Sequence, residues 1–144
     1  MKGKLFTFEG IEGSGKGTQI SLLKDRLKNE GHKVSDLKVY EPGGTEFGDL
    51  MRSILKQNID TDFANIHLTD LVYRFQEFNL NPMTQSLLFF ASRTDQLEKK
   101  IKPELEKGYN VFLDRSCDST TAYQGYGQNP ELVNWIRNTN SLIF

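Results

Sequence analysis

The stretch Gly10-Ile11-Glu12-Gly13-Ser14-Gly15-Lys16 lies between two segments of different periodicity. Before it, Leu5-Phe6-Thr7-Phe8 is rich in residues that favour strands, and after it Ile20, Leu23 and Leu27 recur at helical spacing. The stretch matches the G-x4-G-K pattern, in which glycines let successive backbone N–H groups point at phosphate oxygens. The lysine and the start of a helix add positive charge at the same place. A strand, this loop and a helix together predict a binding site for the phosphates of a nucleoside triphosphate.

The rest of the sequence continues the alternation of strands and helices. Residues 57–82 are interpreted as a loop, a short helix near 67–77 and a second loop. Strands joined by helices imply right-handed crossovers, so we predict an α/β fold in which helices flank a parallel sheet of the P-loop NTPase type. Residues 1–144 are expected to form one domain. The further predicted elements are strands at 34–40, 109–114 and 141–144, and helices at 50–55, 84–101 and 130–138.

Composition excludes several other classes of function. The 144 residues carry 18 Lys and Arg against 19 Asp and Glu, so no excess of positive charge draws the surface to nucleic acid or anionic lipid. No run of about 18 apolar residues occurs, which excludes a transmembrane helix. The single cysteine, Cys117, excludes an intramolecular disulfide and fits a reducing compartment. We therefore expect a cytoplasmic protein that binds neither nucleic acid nor membrane.

The phosphate loop, by which we mean residues 10–17, departs from the usual pattern at one position. The residue after Lys16, where Ser or Thr commonly binds Mg²⁺, is Gly17, and Thr18 follows one place later. The pattern therefore leaves open whether a loop side chain binds the metal. Mg²⁺ is still expected as cofactor and ATP as co-substrate, because phosphoryl transfer requires the charge of the triphosphate to be neutralised.

Several segments resemble those of thymidylate kinases, in the same order, over most of the chain from residue 4 to residue 126. The resemblance implies an enzyme that transfers the γ-phosphoryl group of ATP to dTMP, giving dTDP and ADP for dTTP synthesis. The segments are Phe8-Glu9-Gly10-Ile11-Glu12-Gly13, Glu41-Pro42-Gly43-Gly44-Thr45 with Gly48 and Arg52, Leu87-Leu88-Phe89-Phe90-Ala91-Ser92-Arg93, Val111-Phe112-Leu113-Asp114-Arg115, and Ser119-Thr120-Thr121-Ala122-Tyr123-Gln124-Gly125.

The resemblance also implies which residues contact the nucleoside of the acceptor. Glu12 is expected to face the 3′-hydroxyl of the sugar. Phe89 and Arg93 lie four residues apart, which places the ring and the guanidinium on one helix face. The resemblance implies that Phe89 stacks on thymine and that Arg93 donates to a base carbonyl. Thr120, Tyr123 and Gln124 are expected beside the base.

A second group of residues is implied at the acceptor phosphate. The family usually has arginine where this chain has Tyr40, so the positive charge there must come from Arg52 or Arg115. Ser116 likewise stands where an aromatic residue is common. Asp114, at the carboxyl end of a predicted strand, is expected to organise the metal through water, or the nucleophile.

These inferences define three groups of candidate residues. The predicted catalytic residues are Lys16, Arg115, Glu12 and Asp114. The predicted ATP site comprises Gly10, Ile11, Glu12, Gly13, Ser14, Gly15, Lys16, Gly17 and Thr18. The predicted dTMP site comprises Glu12, Tyr40, Arg52, Phe89, Arg93, Arg115, Thr120, Tyr123 and Gln124.

The resemblance concerns the N-terminal portion of the family. Thymidylate kinases have a mobile lid after the next strand, and this sequence ends before it, so we expect the lid and the last strands to be missing. Two alternatives stay open: a kinase for another nucleoside monophosphate or a deoxynucleoside, and a nucleotide-binding fragment without catalysis. Pairing in the family implies a homodimer, to which the apolar faces of residues 50–55 and 84–97 are suited.

Overall fold

Three parallel strands form one sheet in the computed structural model, which describes residues 2–56 and 79–143. The strands are β1 (Leu5–Phe8), β2 (Val39–Tyr40) and β3 (Val111–Asp114), and β3 lies between the other two. The register places Asp114 opposite both Phe8 and Tyr40. Because parallel strands end at the same edge of a sheet, the segments after these three residues emerge side by side. The α/β prediction is confirmed.

Helices connect and follow the strands. Every helix within the described ranges is too short or too polar to span a bilayer. Two of the helices continue through π-helical turns, Leu97–Ile101 after α3 and Thr121–Tyr126 after α5, and a 3₁₀ turn, Pro130–Leu132, leads into α6. The helices are α1 (Lys16–Asn29), α2 (Glu46–Lys56), α3 (Pro82–Gln96), α4 (Lys102–Glu106), α5 (Cys117–Thr120) and α6 (Val133–Ile143).

The ends of helix α3 follow from its sequence. The Asn81 side chain accepts the backbone N–H of Thr84 at 2.9 Å, and Pro82 occupies the first turn, where its missing N–H costs nothing. At the other end Pro103 falls in the first turn of α4, directly after the π-helical turn. Proline cannot donate to the preceding turn, so the regular ladder is interrupted there and a new helix begins.

The sheet is packed on both faces. On one side Val111 and Leu113 of β3, both 0% exposed, pack with Val39, Leu97 and Ile101. On the other side the ring of Phe112 stacks on Phe6 with centroids 5.0 Å apart. The consecutive apolar residues of β3 are therefore those of a central strand covered on both faces.

The predicted strand at 34–40 is shorter than expected. Only Val39–Tyr40 pairs as a strand, and Val34 forms one isolated bridge to Asn110. Between them the Ser35 hydroxyl accepts the backbone N–H of Leu37 at 3.2 Å. A serine that binds the backbone two residues later favours a local turn over a continuous ladder.

The predicted strand at 141–144 is wrong. Helix α6 runs on to Ile143, and Phe144 lies outside the described residues. The buried residues Val133, Ile136 and Asn140 lie on one face of this helix, so the apolar residues at its end continue a helical pattern. The helix predicted near 67–77 also lies outside the described residues.

The apolar faces expected to pair two copies of the chain are partly used within the chain. Helix α2 packs against α3, and Met51 and Ile54 are buried. Phe47 and Leu87 on the same two helices remain exposed. The homodimer stays a prediction.

Replacing the buried Leu113 with alanine should lower the free energy of unfolding by about 2–5 kcal/mol, because a cavity is left in the centre of the sheet. Leu142→Ala is the matched control, since that side chain is 86% exposed, and it should change the free energy by less than about 0.5 kcal/mol. Urea denaturation followed by the fluorescence of Trp135 measures both. Equal losses would contradict the assignment of β3 to the core.

Candidate functional site

The segments that follow the three strands line one cavity of about 700 Å³. The phosphate loop follows β1, the segment beginning at Glu41 follows β2, and the turn at Arg115 follows β3. Helices α2, α3 and α5 complete the wall. The lining residues are Glu12, Gly13, Gly15, Lys16, Gly17, Thr18, Tyr40, Glu41, Pro42, Arg52, Phe89, Asp114, Arg115, Ser116, Ser119, Thr120, Tyr123 and Gln124.

The phosphate loop presents backbone donors to this cavity. Gly13 and Gly15 have φ values of 75° and 82°, which residues with a side chain rarely adopt. Gly15 is the N-cap residue of α1, and none of the described side chains caps this helix end. The first N–H groups of α1, at Lys16, Gly17 and Thr18, have no acceptor within the helix. They are therefore available to bind an anion, and all three residues line the cavity.

Lys16 is held across the phosphate loop by neutral groups. Its Nζ donates to the carbonyl oxygens of Gly10 at 3.1 Å and Ile11 at 2.9 Å, and to the Ser14 hydroxyl at 3.4 Å. Gly10, Ile11 and Ser14 do not line the cavity, unlike the other predicted ATP-site residues. These three residues hold the ammonium group, and no carboxylate of the described residues forms a salt bridge with it.

Tyr40 and Arg52 form a pair on the opposite wall. The guanidinium carbon of Arg52 lies 5.0 Å from the centroid of the Tyr40 ring, within the range of a cation–π interaction. The Tyr40 hydroxyl donates to Asp49 at 3.0 Å, and Arg52 donates to the carbonyl oxygen of Pro42 at 3.0 Å. Burial, and then the hydrogen bond to Asp49, raises the pKa of Tyr40. Tyr40 is thus a neutral support for the nearby cation.

Arg115 lies beside the carboxyl end of β3 with an unusual backbone conformation. Its φ is 70°, which is strained for a residue other than glycine. Its guanidinium carbon lies 5.6 Å from the Tyr123 ring centroid, and its Nη1 donates to the Ser119 hydroxyl at 3.3 Å. Strain of this kind persists only where surrounding contacts fix it, and such residues are concentrated at functional sites.

Asp114 fits a hydrated metal ion. Its Oδ1 is buried and accepts no hydrogen bond from the described residues, although the residue lines the cavity with the phosphate loop. A carboxylate oxygen left free in this way can accept a hydrogen bond from a metal-bound water. The described residues contain no group of three or more metal-binding side chains. The donor set therefore suits Mg²⁺, which keeps several waters and takes its remaining ligands from phosphates.

Arg93 lies behind the cavity wall. Its side chain is 1% exposed, and it donates to both oxygens of Glu41, to Thr120 and to Asn140. Among the residues predicted to contact the base, Phe89, Thr120, Tyr123 and Gln124 line the cavity, and Arg93 alone does not. Burial raises the pKa of Glu41, and the hydrogen bonds from Arg93 oppose that shift. The predicted contact between Arg93 and a base stays a prediction.

Sequence reasoning assigned no role to several residues that organise the site. Glu41 binds Arg93, Ser119 binds Arg115, and Asn140 joins α6 to Arg93. Glu9 was noticed only as part of a motif, and its carboxylate binds the turn after β3. Glu9 and Glu41 could have been identified from the sequence, because each is a polar residue directly after a parallel strand. Asn140 had no such signal, because its partner is 47 positions away.

A parallel sheet with a phosphate loop at its carboxyl edge defines a protein of the P-loop NTPase fold class. The family model described as Thymidylate kinase matches residues 8–77 and 68–142. The chain belongs to the thymidylate kinase family.

Individual relatives agree with this assignment. Thymidylate kinase of Thermosipho africanus is 43% identical over 122 residues, which are 85% of this chain and 51% of that relative. Thymidylate kinase of Chlorobium luteolum is 41% identical over 128 residues, 89% of this chain and 50% of the relative. The crystal structure of thymidylate kinase from Ehrlichia chaffeensis superposes with a TM-score of 0.73 at 33% identity, covering 100% of this chain and 67% of that one. The chain spans about half the length of the curated relatives it matches.

Replacing Arg93 with methionine should lower the free energy of unfolding by about 3–5 kcal/mol, because Glu41 is left buried without its cation. Arg26→Met is the matched control, since Arg26 is exposed and pairs with Glu30 at the surface; it should have little effect. Urea denaturation measures both. The double variant R93M/E41Q should recover part of the loss. Equal effects of the two arginine replacements would contradict the role of the buried pair.

Proposed function

We propose that the chain forms the nucleotide-binding part of an ATP-dependent dTMP kinase, which transfers the γ-phosphoryl group of ATP to dTMP and releases dTDP and ADP. The observation that carries the proposal is one cavity with the phosphate loop on one wall and Arg52 and Arg115 on another. A donor and an acceptor phosphate bound at these two places would lie next to each other.

The phosphate loop is proposed to bind the donor. The free N–H groups at the start of α1 and the ammonium of Lys16 suit the β- and γ-phosphates of ATP. Lys16 is held by carbonyl and hydroxyl oxygens, so a phosphate would replace weaker acceptors with a stronger one. This exchange keeps the ammonium close to where it is needed.

The opposite wall is proposed to bind dTMP. Arg52 and Arg115 hold its phosphate, and Glu12 faces the 3′-hydroxyl of its sugar. Phe89 offers a ring for stacking on the base. Thr120, Tyr123 and Gln124 supply hydroxyl and amide groups along the edge of the pyrimidine. Arg93 supports this wall through its hydrogen bond to Thr120, at 2.9 Å.

Catalysis in this proposal comes from position and charge. The phosphate of dTMP is already an anion near neutral pH, so its oxygen can attack the γ-phosphoryl group in line without a general base. Lys16 and the loop N–H groups hold the donor, and the two arginines hold the acceptor against repulsion between the phosphates. Asp114 would hold Mg²⁺ through water, and the ion would supply positive charge against the phosphates of the donor.

Other parts of the proposal concern the whole molecule. We propose that the described residues belong to one domain, and that the protein acts in the cytoplasm as a homodimer. Phe47 and Leu87, exposed on the two neighbouring helices α2 and α3, support a contact between copies.

Lys16→Ala should lower the rate of dTMP-dependent ADP formation by about 100-fold, because it removes the only side-chain cation of the phosphate loop. Lys28→Ala is the matched control on the same helix, since Lys28 is exposed and pairs with Asp36; it should keep the rate of the unchanged chain. A coupled assay with ATP and Mg²⁺, with and without dTMP, measures this. ADP formation that is independent of dTMP, or equal in both variants, would contradict the proposal.

The same assay distinguishes the acceptors. Among thymidine, uridine and adenosine monophosphates, dTMP should give the highest rate of ADP formation, because the hydroxyl and amide groups beside Phe89 suit the edge of a pyrimidine. A higher rate with adenosine monophosphate would indicate a different monophosphate kinase. Binding of ATP without any transfer would indicate a fragment that lacks catalytic groups.

Tyr40→Leu should weaken dTMP binding by about three- to tenfold, because the aromatic support of Arg52 is lost. Tyr40→Phe keeps the ring and should retain most of the affinity. Tyr109→Leu is the control, since its ring supports Lys33 away from the cavity, at 5.7 Å. Isothermal titration calorimetry measures the three affinities. Equal weakening by the Leu and Phe replacements at Tyr40 would show that the hydroxyl, not the ring, is what matters.

A further inference from the structure

Glu9 connects the start of the phosphate loop to the turn that carries Arg115. It follows β1 directly and is half-buried. One carboxylate oxygen accepts the backbone N–H of Ser116 at 2.7 Å, and the other accepts the Ser119 hydroxyl. Glu9 does not line the cavity, but both of its hydrogen-bond partners, Ser116 and Ser119, do.

The first consequence concerns the backbone of Arg115. The N–H of Arg115 donates to the carbonyl oxygen of Phe8 at 3.0 Å, and the next N–H, that of Ser116, donates to Glu9. The amides of Arg115 and Ser116 are thus held by Phe8 and Glu9, the last residue of β1 and the residue after it. Because the φ of Arg115 is 70°, the chain needs such contacts to keep this turn. Of these two backbone contacts, the one from Ser116 depends on the Glu9 side chain.

The second consequence concerns the Arg115 side chain. Ser119 donates its single hydroxyl hydrogen to Glu9, which leaves the lone pairs of Oγ for another donor. Arg115 Nη1 is that donor, at 3.3 Å from Oγ. The carboxylate therefore orients the hydroxyl, and the hydroxyl orients the guanidinium. A glutamine at position 9 has one acceptor oxygen in place of two, so in this geometry it cannot accept from both the Ser116 amide and the Ser119 hydroxyl.

We propose that Glu9 is a positioning residue for Arg115, which it fixes through the Ser116 amide and the Ser119 hydroxyl so that the guanidinium faces the phosphate loop. The consequence for acceptor binding rests on the proposed function, in which Arg115 holds the phosphate of dTMP. Since Glu9 directly precedes the phosphate loop, one residue links the donor site to the acceptor site.

The first test compares two ligands that differ only in the phosphate. Glu9→Gln should weaken dTMP binding by about tenfold, as expected when a hydrogen bond to a charged group is lost. Binding of thymidine, which has no phosphate for Arg115 to hold, should change by less than about twofold. Calorimetric titration of the full 144-residue chain measures both. Equal weakening for dTMP and thymidine would mean that Glu9 stabilises the fold only, and would overturn the proposal.

A matched control and a double variant isolate the path through Arg115. Asp118→Asn removes a carboxylate from the same segment, where Asp118 is exposed and, among the described residues, accepts a side-chain hydrogen bond only from the Cys117 thiol. Binding of dTMP should not change. In an Arg115→Ala background, Glu9→Gln should have little further effect on dTMP binding, because its target is already gone. Additive losses would overturn the proposal.

The second test needs no ligand. Nitrogen-15 relaxation of the Arg115 Nε–H group should show an ordered side chain in the unchanged protein and nanosecond motion in the Glu9→Gln variant. Equal order in both would overturn the positioning role. If the unchanged chain binds dTMP no better than thymidine, Arg115 does not hold the acceptor phosphate and the proposed function fails at that point. The relaxation measurement still decides whether Glu9 positions Arg115.

Discussion

The pairing of β3 with both neighbouring strands is the constraint on which the site depends. Asp114 lies opposite Phe8 on one side and Tyr40 on the other, so three chain segments leave the sheet at one level. A shift of one residue in either pairing would move the phosphate loop or the Arg52 wall along the strand direction by about 3.3 Å. It would also turn the buried residues Val111 and Leu113 to the opposite face. The packing of the core and the spacing of the site are therefore fixed by the same hydrogen bonds.

The buried pair between Arg93 and Glu41 extends this constraint to the helices. The two side chains are 1% and 4% exposed, so most of the attraction between them offsets the cost of removing both from water. The pair also connects separate segments of the chain. Glu41 follows β2 and Arg93 lies on α3, and the remaining N–H groups of the guanidinium donate to Thr120 and Asn140. One guanidinium thus fixes the arrangement of four segments around the cavity.

The sequence predicted most of this architecture because its strongest signals are local. The phosphate loop, α1 and β3 follow from glycine spacing, helical period and a continuous apolar run. The end of the chain was assigned wrongly because Ser141-Leu142-Ile143-Phe144 is too short to show a period, and the burial of Ile136 and Asn140 decides it instead. Most candidate residues follow from the resemblance to thymidylate kinases, and Asp114 also follows from its place at the carboxyl end of β3.

Contacts between motifs could not be predicted in the same way. Arg93 is four residues from Phe89, yet the ring lines the cavity and the guanidinium is buried, because a carboxylate 52 positions away binds it. The π-helical turn at Thr121–Tyr126 also changes which side chains face the cavity, since it adds a residue to one turn. Neither feature leaves a periodic trace in the sequence.

Four cations in and behind the cavity wall are held in two different ways, and the difference matches their place. Arg93, outside the cavity, is bound by a carboxylate that cancels its charge. Arg52 and Arg115, which line the cavity, lie against the rings of Tyr40 and Tyr123, and Lys16 is bound by carbonyl and hydroxyl oxygens. A ring or a neutral oxygen fixes the direction of a cation but leaves most of its charge free for a phosphate. Even Glu9 reaches Arg115 through the Ser119 hydroxyl, so the cavity keeps the charge that an anionic ligand requires.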